Sequence, residues 1–126
     1  MRFMHRERVS TKVTLQNTVY RSLFDGVLFG CDPDVFLLRD TNLSLSLARR
    51  TALLTLNALF GRLLMTSDNI ADYDGEKLDL LSEALTLFRG ASVKEYCREG
   101  DTIRITYTEN GRENAIRYDA RKGVLK

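Results

Sequence analysis

A six-residue apolar run, GVLFGC at 26–31, stops at the only proline of the chain, which stands between two aspartates as Asp32-Pro33-Asp34. A run so short and so apolar, closed by a turn, predicts a strand buried on both faces, and such strands belong to parallel sheets covered by helices. The flanking sequence agrees. Upstream, STKVTLQNTVYRSLFDG spaces Val13, Tyr20, Leu23 and Phe24 along one face of a helix over about 11–25, capped by Ser10 or Thr11 and stopped by Gly26. Downstream, Ser44 or Ser46 caps a leucine-rich helix that ends before Gly61. RLLM at 62–65 is a second brief apolar run, followed by Thr66, Ser67, Asp68 and Asn69. DGEKLDLLSEALTLFRG then predicts a third helix, with Leu78, Leu81, Leu85 and Phe88 on one stripe before Gly90. The order helix, strand, helix, strand, helix predicts an α/β arrangement around a parallel pair of strands.

After Gly90 the period changes. DTIRITYT and ENAIRYDA alternate apolar and polar residues on either side of Asn110-Gly111, the strongest short hairpin signal. Val93, Tyr96 and Cys97 suggest a preceding strand, so a small antiparallel sheet is expected. The predicted division is 1–90 for the α/β part and 91–126 for the β part.

At 126 residues the chain suits one compact domain and is short for a large enzyme scaffold. Its 19 basic and 17 acidic residues give a net charge of +2, with no basic block longer than Arg49-Arg50, so nucleic acid is not an expected partner. Cys31 and Cys97 form no CxxC spacing and His5 is the only histidine, so no metal site or other cofactor is expected. Reduced thiols in a cytoplasm are the expectation. The charged start, MRFMHRERVSTK, does not resemble a leader, and no 18-residue uncharged run predicts a membrane span.

In α/β sheets ligands gather at the carboxyl ends of strands, where Asp32, Asp34, Ser67 and Asp68 all fall. If the two strands are neighbours, these groups project from one end of the same sheet. Asp32 and Asp34 rise from a single strand end and are badly directed to straddle a sugar ring, as the carboxyl pair of a retaining glycosidase must. Pro33 fixing a turn while an aspartate binds local amides is the simpler reading of that tripeptide alone. Ser67-Asp68 is more often a helix or turn cap than a catalytic group, and no histidine lies near to activate the serine. Cys31 reads as a small buried hydrophobe, or as a nucleophile only if its thiol is unusually acidic. Arg39 suits an ion pair with Asp40, or with Asp32 or Asp34. DYDGEK lacks the alternating ligands and closing glutamate of a calcium loop.

Taken in order, GVLFGCDPDVFLLRD, a leucine-rich helix, and LNALFGRLLMTSDN with a further helix resemble the closing part of the catalytic domain of α-galactosidase-type glycoside hydrolases, families 36 and 27. The resemblance covers most of residues 10–118. It implies the C-terminal part of a (β/α)8 barrel: about two parallel strands, at 27–31 and 63–66, with helices at 10–25, 44–60 and 75–89. The hairpin would open a C-terminal β-domain. Related enzymes cleave terminal α-linked sugars with retention, one aspartate attacking and another protonating the leaving oxygen. In the family both aspartates lie on earlier barrel strands, which would precede this chain, so no residue here is assigned a catalytic role. The resemblance places Asp32, Asp34, Ser67 and Asp68 beside the sugar, with Cys31 and Arg39 behind them.

The implied function is therefore a fragment of a retaining, α-galactosidase-like hydrolase, silent alone and binding carbohydrate when completed. Two barrel strands cannot close on themselves, so the exposed edges are expected to self-associate or dock on an upstream fragment. The alternative is a non-catalytic interaction module that uses those edges to assemble.

Overall fold

The computed structural model describes residues 35–126. The predicted helix over 11–25, the predicted strand at 27–31, and Cys31, Asp32 and Asp34 lie outside the described residues.

Two helices and an antiparallel sheet make the architecture. Helix α1 (Leu47–Phe60) starts at Ser46, whose hydroxyl accepts the Arg49 N–H, and ends at Gly61, whose N–H donates to the Asn57 carbonyl. Ala52, Leu53, Leu54, Leu56, Asn57 and Ala58 are all buried along it. A helix covered on nearly every side belongs at the centre of a fold, and α1 packs against α2 and against the sheet. Helix α2 (Gly75–Gly90) is capped by Asp74, which accepts the Lys77 N–H at 3.0 Å. Glu76 in its first turn and Arg89 in its last complement the helix dipole. It fully buries only Lys77 and Ala84 and turns Leu80, Leu81, Leu87 and Phe88 toward the core, so it is an outer, amphipathic helix.

The chain passes from α2 straight into β1 (Ala91–Glu99), then β2 (Thr102–Glu109), β3 (Arg112–Asp119) and the short β4 (Val124–Leu125). All neighbours are antiparallel in the order β1-β2-β3-β4. Asn110 and Gly111, with φ of 50° and 77°, form the two-residue turn that matches strand twist and sets Glu109 opposite Arg112. Ile103, Ile105 and Tyr118 face inward and are essentially without exposure, so they join Leu53, Leu54 and Leu56 of α1 in one core. Arg104 and Arg117 face outward.

The helices expected at 44–60 and 75–89 and the C-terminal antiparallel strands are found. Among the described residues the expected parallel sheet is not, and the barrel-fragment fold is corrected by the structure: these residues form a small α+β fold around an antiparallel sheet. The run at 63–66 makes no strand, and among the described residues its parallel pairing is a single bridge between Phe36 and Thr66, closed by the Phe36 N–H on the Met65 carbonyl at 2.9 Å. The physical reason lies two residues further on. Leu38 and Arg39 give their backbone groups to side chains instead of a neighbouring strand, so no ladder grows from the bridge. The long period-2 segments after Gly90 supply the sheet instead. Among the described residues no helix is long and apolar enough to cross a membrane.

Candidate functional site

A buried extended segment must place every N–H and C=O on a partner. At Leu38 and Arg39 the N–H groups both donate to Asp68 Oδ2, at 2.6 and 3.0 Å. Their carbonyls both accept from Arg50 Nη1, at 2.5 Å each. A carboxylate on one side and a guanidinium on the other thus do the work of two sheet neighbours.

Asp68 is held in turn. Its side chain has 0% exposure, Oδ1 receives Arg39 Nη1 at 3.2 Å, and Oδ2 also receives the Tyr73 hydroxyl at 2.7 Å. Its own N–H donates to Thr66 Oγ1, and that hydroxyl donates to the Phe36 carbonyl at 2.9 Å, beside the parallel bridge. Burial, and then the hydrogen bond to the Asp68 carboxylate, push the Tyr73 phenol up to about 12. Both effects favour the neutral, donating phenol.

Arg50 extends the arrangement outward. Nη2 donates to Asp40 Oδ1 at 3.0 Å, and Asp40 Oδ2 receives Lys77 Nζ at 2.8 Å. Lys77 also reaches the α2 cap, Asp74, at 2.6 Å. The hydrogen bond from Lys77, followed by that from Arg50, lowers the Asp40 carboxyl; Lys77 likewise lowers Asp74, and Asp40 and then Asp74 raise Lys77. Four charged groups thereby tie residue 40 to both helices.

Of the residues singled out in the sequence, the structure brings Asp68 and Arg39 together, while Ser67 is exposed at the surface. Arg39 pairs with Asp68, and Asp40 with Arg50 and Lys77. With all four of its side-chain contacts internal and no exposed side-chain surface, Asp68 presents no carboxylate oxygen to a solute in this structure. Tyr73, Thr66, Arg50 and Lys77 complete the site and were not singled out. Lys77, three residues after the α2 cap, carried a usable signal; Arg50, one of two adjacent arginines on a leucine-rich helix, carried none. Away from this site, α2 and β2 border a shallow hollow lined by Glu83, Thr86, Leu87 and Glu109. Among the described residues no group of three or more histidine, cysteine, aspartate or glutamate side chains is placed to hold a metal ion.

No protein-family model matches the chain, and neither curated proteins nor solved structures give a match.

Proposed function

We propose that this chain is a non-catalytic portion of an α-galactosidase-like retaining glycoside hydrolase, silent in isolation, acting in a reducing cytoplasm. The observation that carries the reading is the junction at residues 36–39 and 66–68. VFLLRD and LLMTSDN, which belong to the stretches that carry the resemblance, lie side by side at a single parallel bridge between Phe36 and Thr66. Asp68 there serves the protein's own backbone. On this reading Asp32 and Asp34 remain as the sugar-facing acids, and the attacking and protonating acids come from outside the chain. The exposed, unbridged thiol of Cys97 suits a reducing compartment.

The test is release of nitrophenol from 4-nitrophenyl α-galactoside by the purified chain, beside saturation-transfer NMR with galactose. No turnover is expected, and the parent should give a weak galactose signal that Asp34→Ala abolishes. Turnover that disappears in Asp34→Ala would sink the non-catalytic assignment, and a parent chain without any galactose signal would remove the sugar.

A second reading, a self-associating module, is favoured by the surface beside the bridge: Leu63 is 55%, Met65 50% and Ile70 47% exposed. Leu63 and Met65 alternate along an extended segment and so share a side. Sedimentation equilibrium distinguishes this reading, since a defined dimer that Met65→Ser disperses supports it and a monomer at all concentrations excludes it.

A further inference from the structure

We propose that the outer face of the sheet binds a phosphate-type oxyanion between Arg104 and Arg117, with Lys126 beside them. The strand register sets Cys97 opposite Arg104 and Arg104 opposite Arg117. The Lys126 N–H donates to the Arg117 carbonyl at 2.8 Å, carrying the same row to the end of the chain. Because Ile103, Ile105 and Tyr118 point into the core, strand alternation turns Arg104 and Arg117 to the opposite face, where both are exposed. The Arg117 carbonyl faces Lys126 and therefore not β2. Arg104 and Arg117 are accordingly a non-hydrogen-bonded pair, the closer kind, with Cα atoms about 4.5 Å apart and side chains adjacent.

Like charges placed directly opposite are destabilising. Among the described residues neither guanidinium has an ion-pair partner. That contrasts with Arg39, Arg50 and Lys77, each seated on a carboxylate. Of the acids of the same face, Glu95, Glu99 and Asp119 stand in the two neighbouring rows and Glu113 one row further off. Asp119 is already occupied by Lys126 Nζ at 3.0 Å and by the N–H groups of Arg121 and Lys122.

A tetrahedral dianion fits this row. Its oxygens suit two guanidinium forks at once, and its charge cancels the repulsion between them. The flanking acids argue for a small ligand, since a nucleic-acid backbone needs a track of cations through successive rows and would meet Glu95, Glu99 and Glu113 instead. The ligand class is a phosphate monoester, carried by a phosphorylated side chain or by a small metabolite. The proposal is independent of the glycosidase reading.

The experiment follows the arginine Nε–Hε resonances of the full chain during titration with inorganic phosphate at constant ionic strength. A phosphoserine peptide and a sugar phosphate form parallel arms. Saturable shifts confined to Arg104 and Arg117 are expected. Arg117→Thr should weaken binding by about tenfold, the loss of one charged fork; Lys126→Ala should weaken it by about threefold. The tighter of the two ester arms identifies the source of the phosphate. Shifts that never saturate, that appear equally at Arg112 and Arg121, or that survive Arg117→Thr unchanged would overturn the site.

Discussion

The Tyr73 hydroxyl donates to Asp68 Oδ2 at 2.7 Å, on the oxygen that already receives the backbone N–H groups of Leu38 and Arg39. One carboxylate oxygen therefore joins the residue before the α2 cap, the loop at 66–69 and the buried segment at 36–39. Replacing Asp68 by alanine strands two buried backbone donors and a phenol. With each abandoned donor costing about 1–3 kcal/mol, the loss is expected to reach about 2–5 kcal/mol. Urea unfolding measures it, and a loss below about 1 kcal/mol would show that water takes the carboxylate's place.

Tyr73→Phe keeps the ring and removes only the donor, so a smaller loss is expected, about 1.5–3 kcal/mol for a bond to a charged acceptor. The phenol's folded value stands above its ordinary one, about 12 against 10.0. Its contribution is thus complete below pH 10 and is lost as pH rises from 10 toward about 12, because only the unfolded chain sheds the proton there. The alkaline fall in melting temperature should be shallower in Tyr73→Phe than in the parent. Parallel curves would show that the phenol titrates normally.

Asp119 behaves in the opposite sense. The Lys122 N–H first, and then Lys126 Nζ, hold its carboxyl down to about 2 from an ordinary 3.8. A depressed carboxyl contributes stability above the unfolded value, and that stability disappears as pH falls from 3.8 to about 2. Asp119→Asn should flatten this part of the acid unfolding profile and loosen β4, whose Val124 pairs with Asp119. Hydrogen exchange at Lys126 reads the second effect. Unchanged protection there would separate β4 from the carboxylate.

Gly111 sits at φ 77° in the hairpin turn, and a Cβ added there would meet nothing within 4 Å. The cost of Gly111→Ala is therefore purely conformational, about 1–2 kcal/mol for a left-handed residue. Gly75 has the same open space without a positive φ and serves as the control. Gly75→Ala should leave the midpoint of urea unfolding within about 0.5 kcal/mol of the parent. Equal losses at the two glycines would place the cost outside the turn.

The helices and the hairpin were legible because each carries its own punctuation: Ser46 and Gly61 around α1, Asp74 and Gly90 around α2, Asn110-Gly111 between β2 and β3. The parallel sheet was misread because RLLM has the composition of a buried strand, and composition does not say what occupies the neighbouring backbone. Here Asp68 and Arg50 occupy it. Nothing in the spacing of a carboxylate thirty positions from Leu38 marks it as a backbone acceptor, and nothing separates buried Arg50 from exposed Arg49 in the sequence. Arg39 and Asp68 were singled out as polar groups near strand ends, and they meet, but through an internal bond.

The irregularity between Val93 and Glu95 in β1 bears on how copies of this chain can meet. Among the described residues β1 is an edge of the sheet, and an edge invites a twin. A symmetric antiparallel pair centred on Tyr96 sets Lys94 against Arg98 twice, and one centred on Cys97 sets Glu95 against Glu99 twice. Both alignments repel, and the bulge bends the strand away from a flat partner. Edge-to-edge growth into fibrils is thereby opposed by the strand's own charge order, which leaves the apolar shoulder at Leu63 and Met65 as the more favourable place for one copy to touch another.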